Sequence, residues 1–380
     1  MSKIDTEILQ VKENYNGNND GTINLDNEKI EGKKKIEQDN GDLEKMLESM
    51  LLRGRDEKSD NNLGDTMYES KEKLTKLNDD ISDNEEEECD LDLEEPPPPE
   101  VMEYAKQELG ESDEVKCQTL QDLRDMIYER GECDPHRMDD AFLIRFLRAR
   151  SFNVHRAHRL VVRYCDFKEQ NPSIHENVDP LKMRHIGDDD VVTVPAYRTQ
   201  CGRRMMIYRI GNWDPKKYSL EEIFKATVII LELGVLEPRA QILGGIVLFD
   251  LQNITMAHAW SITPQIASMV MALMVTSFPM KTHAIHIIHQ SWIFDIIYSM
   301  FKPLLNKKMQ DRVYFHGDDM SSLHAHISPE YLPKKYGGIN EELPYYKWID
   351  SLSQKPKIVK EMYQVGYIVQ EEMLKMALAQ

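Results

Sequence analysis

Between Trp292 and Leu305 the chain reads WIFDIIYSMFKPLL, and at helical period its polar side chains fall only at Asp295, Ser299 and Lys302, with Asn306 next in the same stripe. A helix apolar around the rest of its circumference must pack into a core or face lipid. At about half the length of a membrane span, it is too short to cross one. Lys307, Lys308 and Arg312 follow at once, and on a continued helix positions 308 and 312 share a face. Two readings stand on this pattern: a core helix followed by a solvated basic turn, or a lipid-facing helix coupled to a basic patch.

Helical spacing also marks 100–110, 119–131 closed by Gly131, 139–150, and 153–172, with Asp140 and Asn153 as caps and Pro172 as a stop. These predict a small helical lobe. In its third helix Phe142, Leu143, Phe146 and Leu147 form the core face, which leaves Arg145, Arg148 and Arg150 to project elsewhere. The period then changes to two in RRMMIYRI (203–210), GGIVLFDL (244–251), THAIHIIH (282–289) and RVYFH (312–316). Helical patterns at 219–236, 262–278 and the opening stretch lie between them. Alternation at this spacing predicts βαβ units and an α/β fold with a largely parallel sheet. Ligands of such sheets sit beyond the strand ends or against a face that lacks its helix cover. Residues 269–275 carry no strongly polar side chain, which is more apolar area than one sheet requires.

Charge separates a tail from this body. Of the net −19, residues 1–100 supply −17 (13 Lys and Arg against 30 Asp and Glu), and the remaining 34 against 36 leave only −2. A nearly neutral body lacks the broad basic surface that nucleic acid demands. Residues 1–98 are poor in aromatics and rich in Asn, Asp, Glu and Lys, the composition of a disordered acidic tail. Within it Leu43, Met46, Leu47, Met50 and Leu51 share one helical face, so residues 42–52, or the acidic tail itself, could engage a protein partner. Pro96 to Pro99 make a stiff spacer. The expected organisation is tail 1–98, helical lobe 99–175, ligand-binding α/β domain 176–345 and helical extension 346–380. Five scattered cysteines show neither a disulfide framework nor a zinc spacing, and MSKIDTEILQ carries no leader pattern. A cytoplasmic protein with peripheral access to membranes is expected.

Catalytic signatures are missing: no GxSxG, GxxxxGK[ST] or GxGxxG occurs, and Gly244-Gly245 precedes a strand. His283, His286 and His289 alternate in direction along a strand and cannot converge on one ion. No nucleophile with a paired base stands out, so neither enzyme activity, a metal nor a cofactor is expected.

The body resembles a family. DDAFLIRFLRARSFNVHRA (139–157), IGNWDP (210–215), ITPQIA (262–267), TSFPMK (276–281), HQSWIF (289–294), KPLLNKKMQDRVYFHGDD (302–319) and LPKKYGG (332–338) occur in the order of the CRAL-TRIO lipid-binding proteins. The likeness is to the branch holding alpha-tocopherol transfer protein and cellular retinaldehyde-binding protein. It implies a helical lobe on a sheet that floors an apolar pocket, closed by a gate helix at 292–302. Trp292, Ile293, Phe294, Ile296, Ile297, Met300 and Phe301 are then candidates for pocket lining or membrane insertion, with a hinge at Lys302–Pro303. The tocopherol carrier's phosphoinositide-reading cations fall, by position, on Arg150, Lys281, Lys308 and Arg312. Thr282 and His283 stand where a further cation is common, and His283 would strengthen anion binding at acidic pH. Positions resembling pocket-lining ones are Tyr208, Thr227, Leu231, Met256 and Trp260; in the tocopherol carrier a serine matches Leu231 and phenylalanines match Met256 and Trp260. The resemblance implies a carrier of a small tocopherol- or retinoid-like lipophile, exchanging it at phosphoinositide-containing membranes. The alternative is a non-transporting lipid sensor or scaffold whose tail recruits a partner.

Overall fold

The computed structural model describes residues 89–93 and 95–379. Of the disordered acidic tail expected at 1–98, residues 1–88, with the helical face within 42–52, lie outside the described residues; the part beyond them does not behave as a free tail, because Cys89 is buried, Asp92 N donates to Glu237 Oε1 at 3.0 Å and Pro99 opens a helix instead of ending a spacer.

The centre is a five-stranded sheet of β1 (Val192–Thr193), β2 (Met205–Arg209), β3 (Gly245–Asp250), β4 (Thr282–Ile288) and β5 (Val313–Gly317), in that spatial order. β2 to β5 are parallel, and only the short β1, which the period-two pattern did not reveal, runs antiparallel. Right-handed crossovers between strands laid down in sequential order put every connecting helix on one face. Helix α5 (Leu220–Gly234) accordingly packs on Tyr208 and Val247, and the helix that starts at Trp292 packs on Ile287. The opposite face carries Ile246, Leu248 and Ile288 and is covered by Leu323, Ile327, Leu332 and Tyr336. On that side His286 Nδ1 lies 2.9 Å from His316 Nε2, whereas His289 Nδ1 lies 2.9 Å from Asp250 Oδ1.

The helical lobe comprises α1 (Pro99–Tyr104), α2 (Asp113–Arg130), α3 (Asp140–Ala149) and α4 (Val154–Gln170). Asn153 caps α4 as the spacing predicts, but the α3 cap is Asp139, whose carboxylate accepts from Phe142 N at 3.1 Å, and Asp140 pairs with Arg124 instead. Arg145 and Arg148, left to project away from the α3 core face, are themselves buried. Arg148 is 1% exposed and donates to Glu111 and Gln241, each at 2.7 Å, because its side chain reaches across to the sheet domain. The apolar excess of 269–275 has the same destination. Leu273 and Phe278 join Phe142, Phe146 and Tyr164 in one core that joins the lobe to the sheet.

Helices α6 (Met256–Ser261) and α7 (Pro264–Met271) connect β3 to β4, α8 (Trp292–Phe301) and α9 (Lys307–Gln310) connect β4 to β5, and beyond the sheet α10 (Tyr346–Ser353), α11 (Pro356–Gln364) and α12 (Glu371–Leu378) form a helical extension. Trp348, Leu352, Ile358 and Met362 build a second core with Cys89, Val178 and Ile229. Glu361 fixes this extension to the lobe through Arg137 (2.6 Å) and Arg145 (2.9 Å), and Lys168 Nζ donates to Val365 O at 2.8 Å. Among the described residues no helix is long and apolar enough to cross a membrane.

Candidate functional site

Four separate elements bring cations to the amino-terminal edge of the sheet. Arg150 ends α3, Lys281 precedes β4, Lys308 sits on the short α9 (Lys307–Gln310), and Arg312 precedes β5. The stretch from Trp292 to Arg312 divides at Pro303: α8 (Trp292–Phe301) gives way to a tight turn at Lys302–Leu304, and Asn306 caps α9. Tight approach positions Lys281. Gly244 has φ of 75°, and a Cβ there would lie 2.4 Å from the Lys281 carbonyl oxygen, so the start of β3 tolerates only glycine. Arg312 Nη1 donates to Thr282 O at 2.8 Å, holding the guanidinium beside β4. Burial first, then Arg150, Arg312 and Lys308, pull the Lys281 ammonium down to about 8. Among the described residues no carboxylate bonds Lys281, although the charge of Glu108 acts on it, and such concentrated positive charge is the electrostatic form of an anion site. His283 does not serve as the expected acid-strengthened partner: burial and the charges of Arg203 and Arg312 hold its imidazole near 3, so it stays neutral.

A cavity of about 200 Å³ lies against the same sheet face. Met206, Tyr208, Val247 and Thr282 supply its floor, Thr227, Ile230 and Leu231 of α5 one wall, and Met274 another. Its surface is hydrocarbon apart from a few groups, among them the Tyr208–Thr227 hydroxyl pair at 2.9 Å. Thr227 Oγ1 spends its proton on Ile223 O (2.9 Å), so Tyr208 is the donor within the pair and its oxygen keeps an acceptor lone pair. Burial keeps that phenol protonated. Lys281 belongs to the cavity wall as well as to the cation cluster.

Tyr208, Thr227 and Leu231 thus meet at the cavity, but Met256 and Trp260 do not line it. They sit on α6 (Met256–Ser261), which stands beside α8, and Trp260 is 75% exposed. None of Trp292, Ile293, Phe294, Ile296, Ile297, Met300 and Phe301 lines the cavity either. The physical reason is position: α8 covers the carboxyl ends of the strands, with Phe294 and Ile297 packed against Leu251, Ile254 and Ile287, whereas the cavity sits toward the amino ends. Phe249 and Ile285 touch both regions and make one continuous apolar row between them. Trp292 and Ile296 face outward at 59% and 40% exposure. At the start of α8, His289 holds φ of 54° and bonds Asp250, while Gln290 Oε1 accepts from Gly317 N at 2.9 Å. Burial alone would raise the Asp250 carboxyl, but the bonds from Gln252 N, His289 and Tyr336 outweigh it and hold the group below its usual range. Pattern reading missed the part of the wall contributed by residues 345–370. Their amphipathic spacing signals a buried face without saying what it faces.

A helical lobe on a largely parallel sheet, with an apolar cavity meeting a cation cluster, defines a lipid-handling domain. Family models agree: that of the CRAL/TRIO domain matches residues 188–338 and that of the CRAL/TRIO N-terminal domain residues 100–162. The chain belongs to the CRAL-TRIO family of lipid-binding and lipid-transfer proteins. Among its relatives, Clavesin-2 of Rattus norvegicus and of Homo sapiens is 33% identical over 251 residues, 65% of this chain and 76% of the relative. Clavesin-1 of Pongo abelii is 34% identical over 242 residues, 63% of this chain and 68% of the relative. The solved structure of Sfh5 overlaps 64% of this chain and 97% of its own with a TM-score of 0.36 at 10% identity.

Proposed function

We propose that this protein carries a small lipophile in the cavity under α5 and exchanges it at membranes bearing phosphoinositides, phosphatidylinositol bisphosphate above all. One observation carries the reading: Lys281 is shared by the apolar cavity and the cation cluster, so anion and lipophile would be bound within one side chain of each other. A polyanionic headgroup answers four converging cations, and each cation near an anionic surface adds about 1 kcal/mol. The acceptor on Tyr208 suits a lipophile that carries one hydroxyl, as a tocopherol or retinol does. Outward aromatic side chains at Trp260 and Trp292, beside each other's helices, suit contact with a bilayer. In this reading α8 is the gate, and its buried side, Phe294 and Ile297, exchanges sheet contacts for lipid contacts when it lifts. The role is that of a carrier rather than an enzyme, in the cytoplasm with peripheral membrane association.

Transfer of a fluorescent tocopherol analogue from donor to acceptor vesicles tests it. Acceptors containing phosphatidylinositol bisphosphate should accelerate transfer, and hydrogen exchange over residues 292–303 should rise with those vesicles. Equal rates with and without the phosphoinositide would sink the exchange reading. Binding without transfer would instead support the sensor or scaffold, which the acidity of residues 1–100 favours.

A further inference from the structure

The two family-matching stretches, 100–162 and 188–338, do not complete the cavity. Leu91 closes part of it, and α10, α11 and the segment through Gln370 form a large share of its wall. Their place along the cavity can be read from β2. Tyr208 lies near the carboxyl end of that strand, whereas Arg204 immediately precedes it and stacks its guanidinium over Trp348 at 5.1 Å. Four residues of strand separate the two, roughly 13 Å at about 3.3 Å per residue. The polar Tyr208–Thr227 pair and the Trp348 wall therefore stand at different levels along β2, the pair near its carboxyl end and Trp348 toward its amino end. That wall is braced from outside: Trp348 Nε1 donates to Val194 O at 2.8 Å, Ile368 N to Val178 O at 2.9 Å, and Glu361 is clasped by Arg137 and Arg145. A braced, largely hydrocarbon wall set apart from the Tyr208–Thr227 pair acts as a stop.

We propose that α10 and α11 gauge the ligand: its hydroxyl end meets Tyr208, its hydrocarbon end abuts Trp348, Leu352 and Met362, and the braced extension thereby sets the length of lipophile accepted. This rests on the cavity being the lipophile site. A chain too long must displace braced side chains, and one too short leaves a dry void whose walls lose their contacts. Each methylene that gains or loses a seat should change retention about fourfold.

The test uses the full chain equilibrated with vesicles holding equal amounts of dodecanol, hexadecanol and eicosanol, followed by native mass spectrometry of the retained alcohol. Met362→Ala should shift retention toward longer alcohols and Val359→Phe toward shorter ones, with thermal melts as the fold control. As a measurement independent of any substitution, a long-chain alcohol with a terminal diazirine should, on illumination, label peptides within 345–370 of the unmodified protein. Folded variants with the parent's length profile, or labelling confined to 292–301, would overturn the gauge. A parent that retains no alcohol at all would instead overturn the lipophile site on which the gauge rests.

Discussion

Lys281 makes anion binding at the cluster a function of pH. Its ammonium is pulled down to about 8 by burial and by Arg150, Arg312 and Lys308, and a bound phosphate would push it back up. The sign follows from linkage: binding takes up a proton, so affinity is full below about pH 8 and falls as pH rises above it. Between about pH 7.5 and pH 9.5 the protonated fraction of the free protein drops from about three quarters to about one thirtieth, so affinity should weaken roughly twentyfold. Neighbouring groups do not obscure this window. His283 is held near 3, burial raises the Tyr104 phenol, and headgroup phosphate monoesters with pKa near 6 are already ionised. Co-sedimentation with vesicles containing phosphatidylinositol bisphosphate measures it at fixed ionic strength, since salt screens the same charges. Lys281→Arg, charged throughout, should bind with little pH dependence. Equal parent affinity at both pH values, or the same fall in Lys281→Arg, refutes the assignment of Lys281 to the anion site.

Other perturbations address separate parts. Lys308→Glu, on an exposed side chain, changes the local charge by two, so vesicle affinity at low salt should fall by about 2 kcal/mol, roughly thirtyfold, with the melting temperature unchanged. Tyr208→Phe removes the acceptor while Thr227 keeps its bond to Ile223 O; retention of a hydroxyl-bearing lipophile should drop about tenfold in a vesicle-competition assay, and that of a plain hydrocarbon should not. Glu361→Gln leaves Arg145, 4% exposed, without its carboxylate and should cost about 3 kcal/mol in urea unfolding. Burial opposes ionisation of Glu361, but Arg137 and Arg145 prevail and lower its pKa; its stabilisation is therefore present above the unfolded value of 4.5 and is lost as pH falls through the folded one. Trp292→Ala, at a side chain 59% exposed, should leave the fold intact and weaken partition into vesicles, read by tryptophan-independent flotation.

Pattern along the chain was enough for four of the five strands and for α8, and motif resemblance was enough for the family. Period-two runs at 203–210, 244–251, 282–289 and 312–316 became β2 to β5 within a residue or two, and the 292 stretch became α8, because periodicity records which side of an element is buried. Arg150, Lys281, Lys308 and Arg312 were nameable because the motifs around them fix their position by resemblance, and the fold brings them together. What periodicity cannot record is which surface a buried face meets. Where Arg145 and Arg148 project was not legible because their partners, Glu361 and Glu111, lie far along the chain or in the loop before α2. Trp260 read as pocket lining, and the residues of α8 as pocket lining or membrane insertion, because their positions resemble those of the family, yet Trp260 is exposed and α8 covers the other end of the sheet. The cavity itself is a space between β2, β3, α5 and a C-terminal extension more than a hundred residues away in the chain, so its position and its end wall were decided only when the tertiary structure packed those surfaces together.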